Sequence, residues 1–354
     1  MIEKDFARRA KVNVTFDGVD ISKPLQRYFK SLTYTDNEED PDDLEIQLAD
    51  KDDVWLTEWL GNIEDAAMSV TNMKIDAEIV AENWRSGGGD KVLPCGQFEL
   101  DTARGKGPPS TIIIMGTALP YSSQARQTKK SRSWEARKLS GIANDIAAAN
   151  GMKVMYLSAS DPYYARTEQV KTSDYKHLSR LCEKAGISLK TTNNTFVLFD
   201  QAEYEARPSI FTFKRGGGKY TKWEVYSGET NTKYASCRVS YTDPDTGKSV
   251  EGTAYVEDYN AKKENNQRHE VSAKVSSAAE AKALAEKHLR LVNKHQKTVV
   301  FTMPGNPDMM AGQPVDLAGW GMWTGKYIIK KAAHAVGDGG YVTRVDLRRV
   351  LEGY

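Results

Sequence analysis

The side chains best suited to chemistry in this 354-residue chain are five histidines, three cysteines and a large set of carboxylates, and their spacing decides what each can do. Of His177, His269, His288, His295 and His334, only His288 and His295 share a stretch of helical periodicity. Seven residues place that pair two turns, or about 10 Å, apart, too far for one metal ion held at ~2 Å. The histidines are therefore expected at the surface or at helix caps. Cys95, Cys182 and Cys237 are odd in number and widely separated, so they support neither a disulfide framework nor a thiolate zinc site and are expected to be buried free thiols.

Any two carboxylates held ~5–9 Å apart could cleave a glycosidic bond, but abundance alone does not select a pair. The run NEEDPDD, residues 37 to 43, has the composition of a cation site, yet Pro41 and the flanking strand patterns predict a solvated loop. No phosphate-binding G-x-x-x-x-G-K-[ST], nucleophile elbow G-x-S-x-G, H-E-x-x-H, paired C-x-x-C or EF-hand loop occurs. Gly87-Gly88-Gly89 and Gly216-Gly217-Gly218 do not open helices, where the free N–H groups that hold a phosphate are found. Gly319, Gly321 and Gly325 resemble part of a dinucleotide fingerprint, but the following YIIKKA alternates as a strand. The run QARQTKKSRSWEARK, residues 124 to 138, has six basic residues and one aromatic. It admits a nucleic-acid reading, but with no second basic patch it is read as a linker or solvated face. Catalytic, metal and cofactor residues are thus assigned to none, and the chain is expected to lack hydrolase activity.

The elements that would carry these residues divide into three segments. Residues 1–122 are strand-rich, with period-two runs and a hairpin signal at Asp17-Gly18, where a tight primed turn needs positive φ. LTEWLGNI reads as a short helix. Residues 123–205 read as a small α/β module. Helices are predicted at about 134–149, with Leu139, Ile142, Ala143, Ile146 and Ala147 on one face, and at 173–185, capped by Ser173 and closed by Gly186. A hairpin is expected at Asn193-Asn194. Residues 206–354 return to strands around one helix at about 278–295, whose Ser277 and Glu280 form a capping box. The fold class is mainly β with α+β: two β-barrel-like domains flanking the α/β module.

Forty-nine Lys and Arg against 48 Asp and Glu give a net charge of +1, which excludes a protein built around one strongly charged surface. A 40% hydrophobic content favours folding. The N-terminus lacks an apolar signal region and no window approaches the ~18 apolar residues of a membrane-spanning helix, so synthesis in the cytoplasm and no transmembrane segment are expected. The segment AGWGMWTGKY reads as a strand with Trp320 and Met322 on one side and Trp323 on the other. Large apolar groups on both faces need cover on both, so Trp320, Met322 and Trp323 are the expected interface residues.

Two stretches carry a family resemblance: KTSDYKHLSRLCEKAGISLKTTNNTFVLFD, and the segment from AAEAKALAEKHLRLVNKHQ to GYVTRVDLRRV, with Pro304-Gly305-Asn306-Pro307, Ala311-Gly312, Gly325-x-Tyr327 and His334. They resemble the late control gene D hub proteins of contractile phage tails, whose fold is similar to the hub part of type VI secretion spike proteins. The resemblance implies a structural baseplate hub without a cofactor. It implies a homotrimer that adapts a sixfold tail tube to a threefold spike, with tail tube protein, spike protein and other baseplate proteins as partners and no sequence-specific nucleic acid. It also implies synthesis in the host bacterial cytoplasm and incorporation into a virion or phage-tail-like particle. The competing readings are a tail-associated cell-wall-degrading enzyme and a nucleic-acid-binding module. The end of the chain at Tyr354, without the cleaving or needle extensions some hubs carry, leads to the expectation of no enzymatic role.

Overall fold

The computed structural model describes residues 7–22, 26–60, 73–84, 89–119, 125–227, 234–243, 246–257, 259–262 and 266–351. Gly87 and Gly88 of the first glycine triplet, and the last three residues of LTEWLGNI, lie outside them.

The first segment supplies β1 (Arg9–Phe16), β2 (Val19–Asp20), β3 (Phe29–Asn37), β4 (Asp43–Ala49), a short π-helical turn (Val54–Leu60), β5 (Lys74–Glu82), β6 (Lys91–Lys106) and β7 (Thr111–Thr117). The β1–β2 turn has Asp17 at φ 48° and Gly18 at φ 80°, the left-handed pair that the sequence predicts. Along β4, Leu44, Ile46 and Leu48 point inward and alternate with more exposed residues, whereas Ile112, Ile113 and Ile114 of β7 are all buried, as in a strand covered on both faces.

The α/β module follows as β8 (Lys130–Lys138), α1 (Leu139–Ala148), β9 (Lys153–Tyr156), β10 (Tyr163–Thr172), α2 (Asp174–Ala185), β11 (Ser188–Thr192), β12 (Thr195–Phe199) and α3 (Gln201–Ala206). The five apolar residues predicted for the first helix are its buried face. Its start differs: residues 130–138 form a strand antiparallel to β10, not the first turns of a helix. The reason is a charged anchor. Lys130 and Arg132, two apart and so on one strand face, both reach the fully buried Asp174 carboxylate, at 2.8 and 2.7 Å. From residue 130 on the run is therefore a strand and not a linker; Arg126, Lys129, Arg137 and Lys138 are exposed, as a solvated face requires, and Lys130 and Arg132 are half-buried. Helix α2 begins and ends as predicted, with Ser173 accepting from the Lys176 N–H and Gly186 at φ 65°. The β11–β12 turn has Asn193 and Asn194 both left-handed.

The third segment holds β13 (Phe211–Lys214), β14 (Lys222–Ser227), β15 (Ser236–Thr242), β16 (Ser249–Tyr255), β17 (Arg268–Ser272), α4 (Ala278–Asn293), β18 (Lys297–Pro304), β19 (Pro314–Ala318), β20 (Gly325–Gly337) and β21 (Gly340–Arg349). Ser277 caps α4 by accepting from the Glu280 N–H, and the Glu280 carboxylate reaches back to the Ser276 N–H at 2.8 Å, a capping box displaced by one residue. Strands β15 to β17 and α4 form a unit with its own core, Cys237, Val239, Ala281, Ala285 and Leu289.

The fold is mainly β with a few helices. One sheet runs β14-β18-β21-β20-β3-β4-β7-β6-β5-β1-β2, with β19 on β20 and β13 on β19. The two β-rich segments meet where β20 pairs with β3, from Lys331↔Asn37 to Gly337↔Ser31. Each half curls around its own core, the second with Phe213 stacked on Phe301 at 4.1 Å. Neither half closes into a barrel by hydrogen bonding among the described residues: the path ends on β14 and β2.

Candidate functional site

Residues 319 to 324 are not a strand. Gly319 and Gly321 take φ of 77° and 59°, breaking extended backbone, and Gly321–Trp323 forms a 3-10 turn between β19 and β20. That turn sends the three expected interface residues to different environments. Trp320 points inward: its indole N–H donates to the Phe213 carbonyl at 2.8 Å, and its ring meets Phe301 and Trp223 edge-on at 5.3 Å each. Trp323 is half-buried against the same core, and Met322 is 65% exposed. The Arg215 guanidinium lies 4.2 Å from the Trp223 ring and 4.6 Å from the Trp320 ring. Beside this turn, edge strand β14 displays Trp223 at 41% and Tyr226 at 66% exposure. Aromatic residues and an exposed methionine thus share one end of the sheet, next to a strand edge with no pairing partner among the described residues. The alternation of β14 gave a sequence signal for Trp223, but only the fold brings it to Trp320.

A second centre is the acidic run, expected to be a solvated loop: Asp40 and Asp43 are exposed as expected, whereas Asn37, Glu38 and Asp42 are buried. Asp36, Asn37, Glu38 and Asp42 are all buried because the β3–β4 turn is driven under three other segments, each bringing a cation. The Arg348 guanidinium of β21, fully buried, grips Glu38 with two hydrogen bonds of 2.7 and 2.5 Å and Glu205 of α3 with a third of 2.6 Å. Glu205 also pairs with Arg290 of α4. Glu39 pairs with Lys294 and accepts from Ser188 and Gln201, each at 2.8 Å. Lys190 of β11 bridges Asp36 and Asp42, and Asp36 also accepts from the Ala311 N–H at 2.7 Å.

The electrostatics follow from this pairing. Burial works against an ionised Glu39, but the Lys294 ammonium and the Ser188 hydroxyl hold its carboxyl below the usual range. Burial pushes the Asp42 carboxyl up to about 7, with Lys190 opposing and Asp36 adding to the rise. Burial also disfavours the Arg348 charge, yet Glu38 and Glu205 raise its pKa further. Acids spent on holding cations in a closed junction are suited to fastening β3–β4, α3, α4, β11 and β21 together.

His177, His288 and His334 are buried, contrary to the surface or capping positions expected. Each is held by a tertiary partner that its neighbours in sequence do not reveal. His177 stacks on Trp134 at 5.2 Å, His288 reaches the Lys184 carbonyl at 3.3 Å, and His334 sits between the Met309 carbonyl and the Tyr341 hydroxyl at 2.9 and 2.8 Å. The three cysteines are buried and free. Among the described residues no group of three or more His, Cys, Asp or Glu could hold a metal ion, and no helix is long and apolar enough to cross a membrane.

Three comparisons bear on this architecture. Residues 117–340 match the family described as phage tail baseplate hub (GPD). The chain is similar to a solved 43 kDa tail protein of prophage MuSo2 from Shewanella oneidensis, with 12% identity, a TM-score of 0.67, and coverage of 96% of this chain and 98% of that one. A tail protein from Neisseria meningitidis is similar at 10% identity and TM-score 0.68, covering 96% and 97%. An E. coli component of the type VI secretion system, described as similar in structure to phage T4 tail proteins, matches at 11% identity and TM-score 0.55, covering 96% and 78%. No curated protein matches the chain by sequence.

Proposed function

The chain belongs to the phage tail baseplate hub family, and on that premise we propose that three copies form a ring joining the sixfold tail tube to the threefold spike. The family match identifies it as a structural hub and a tail component. The observation that carries the finer reading is the open sheet. Residues 1–122 and 206–354 each supply a curled β-half, the halves are joined through β3 and β20, and among the described residues the path ends on open strands at both sides. Three such chains offer six β-halves around an axis. Open edges are an aggregation hazard unless a neighbour covers them, and a ring in which each end strand meets the next copy removes both. Met322, with Trp223 and Tyr226, is the apolar surface available for that contact.

In this reading the α/β module, residues 123–205, stands outside the ring. The protein is made in the host cytoplasm and enters a particle with tail tube protein, spike protein and other baseplate proteins, acting by shape and apolar contact rather than by catalysis. Imaging of assembled particles tests it: three copies around the tail axis are expected, and six copies or an off-axis position would overturn it. Peptidoglycan lysis by the purified chain, abolished by a single carboxylate substitution, would overturn the non-enzymatic part.

A further inference from the structure

A local charge imbalance lies in a groove of about 430 Å³ between the α/β module and the β15–β17/α4 unit. Its floor is aliphatic, formed by Leu181 and Ala185 of α2 and by Ala283 and Leu284 of α4, with Tyr163 and Tyr164 of β10 at one side, their adjacent positions in one strand directing the two rings to opposite faces. Five cations surround it against one acid, Glu280, which is already occupied in capping α4. Two of the cations are matched: Arg166 pairs with Glu168 at 2.6 Å, and Lys287 with Asp200 at 3.0 Å. Arg180, Lys184 and Lys274 line the groove with no acidic partner among the described residues. In a chain of net charge +1, three unmatched cations over an aliphatic floor are a local feature and not a reflection of composition.

The walls are also fixed in place. A Cβ at Gly186 would come within 2.7 Å of Lys287, so the end of α2 presses directly on α4, and His288 of α4 reaches the Lys184 carbonyl at 3.3 Å. A groove preformed in this way orders little on binding. We propose that it is the docking site for an acidic peptide segment of a partner protein, one that carries aliphatic side chains among its carboxylates. The carboxylates meet Arg180, Lys184 and Lys274, and the aliphatic groups cover Leu181 and Leu284. The aliphatic floor favours a peptide over a nucleic acid, which would call for a series of stacking rings. The assignment does not depend on the trimeric reading, because none of these residues lies at the sheet ends.

The test is fluorescence anisotropy with a labelled peptide of mixed Glu, Asp and Leu, using the full chain. Saturable binding that weakens with salt is expected. The Lys184→Glu/Lys274→Glu variant should lose about tenfold or more in affinity. Ala283→Glu, which changes an exposed floor position, should lose a similar amount, with melting unchanged in both variants. Absence of saturable binding, or equal affinity in the charge-reversed protein, would overturn the proposal. A single-stranded oligonucleotide of the same charge binding as tightly would also overturn it. A change of the protein's own oligomeric state in the charge-reversed variant would assign the groove to a second copy and overturn it too.

Discussion

Replacing Arg348 by Met removes the cation that joins β21 to β3 and α3. In the native junction Arg348 gives two hydrogen bonds to Glu38 and one to Glu205, and Glu205 keeps Arg290 as a second partner. The substitution therefore strands Glu38, which is 2% exposed, while leaving Glu205 paired. Breaking a buried pair from one side costs about 3–5 kcal/mol, a large share of the roughly 5–15 kcal/mol that holds a domain folded. Glu38→Leu/Arg348→Met, which removes both partners, should recover most of the loss, a pattern that a simple packing defect would not give. Urea unfolding followed by tryptophan fluorescence measures the native protein and both variants. The reasoning fails if Arg348→Met costs less than about 1 kcal/mol, the scale of an exposed pair, or if the double variant is no more stable than the single one.

Gly252 of β16 faces α4 so closely that a Cβ would lie 2.3 Å from the Lys282 nitrogen, and Gly252→Ala should cost about 1–3 kcal/mol or more and raise hydrogen exchange in α4. Burial lowers the pKa of His177 and of His334 from 6.5 to about 4, so the unfolded chain binds more protons between those values. Each histidine should then remove about 1.4 kcal/mol per pH unit as pH falls through that window; Asp42, raised from 3.8 to about 7, works in the opposite direction. Thermal melting at pH 7 and pH 4.5 should show a net loss at the lower value, reduced in His334→Gln. Trp320→Ala should lower stability by about 3–5 kcal/mol, whereas Met322→Ala should change it by no more than about 0.5 kcal/mol while impairing particle assembly. Equal effects on melting and assembly from Met322→Ala would assign it to packing.

What the sequence determined by itself was local. The α1 face, the Ser173 and Ser277 caps, the closing Gly186 and the Asp17-Gly18 and Asn193-Asn194 turns follow from periodicity and from which residues tolerate positive φ, and both rules act within a few residues. The mainly β class with a few helices was legible for the same reason. Tertiary structure decided the rest. Residues 130–138 became a strand because Asp174, some forty residues away, takes Lys130 and Arg132 together. Part of the acidic run, with Asp36 beside it, became a buried junction because Lys190, Lys294 and Arg348 converge on it from 150 to 310 positions along the chain, a distance over which no local pattern carries information. The Trp320 turn was misread as a strand because alternation does not register that Gly319 and Gly321 are left-handed; the direction of the indole was set by a core assembled from β13, β14 and β18. Charge pairing and core closure are properties of the assembled surface, and composition leaves their partners undetermined.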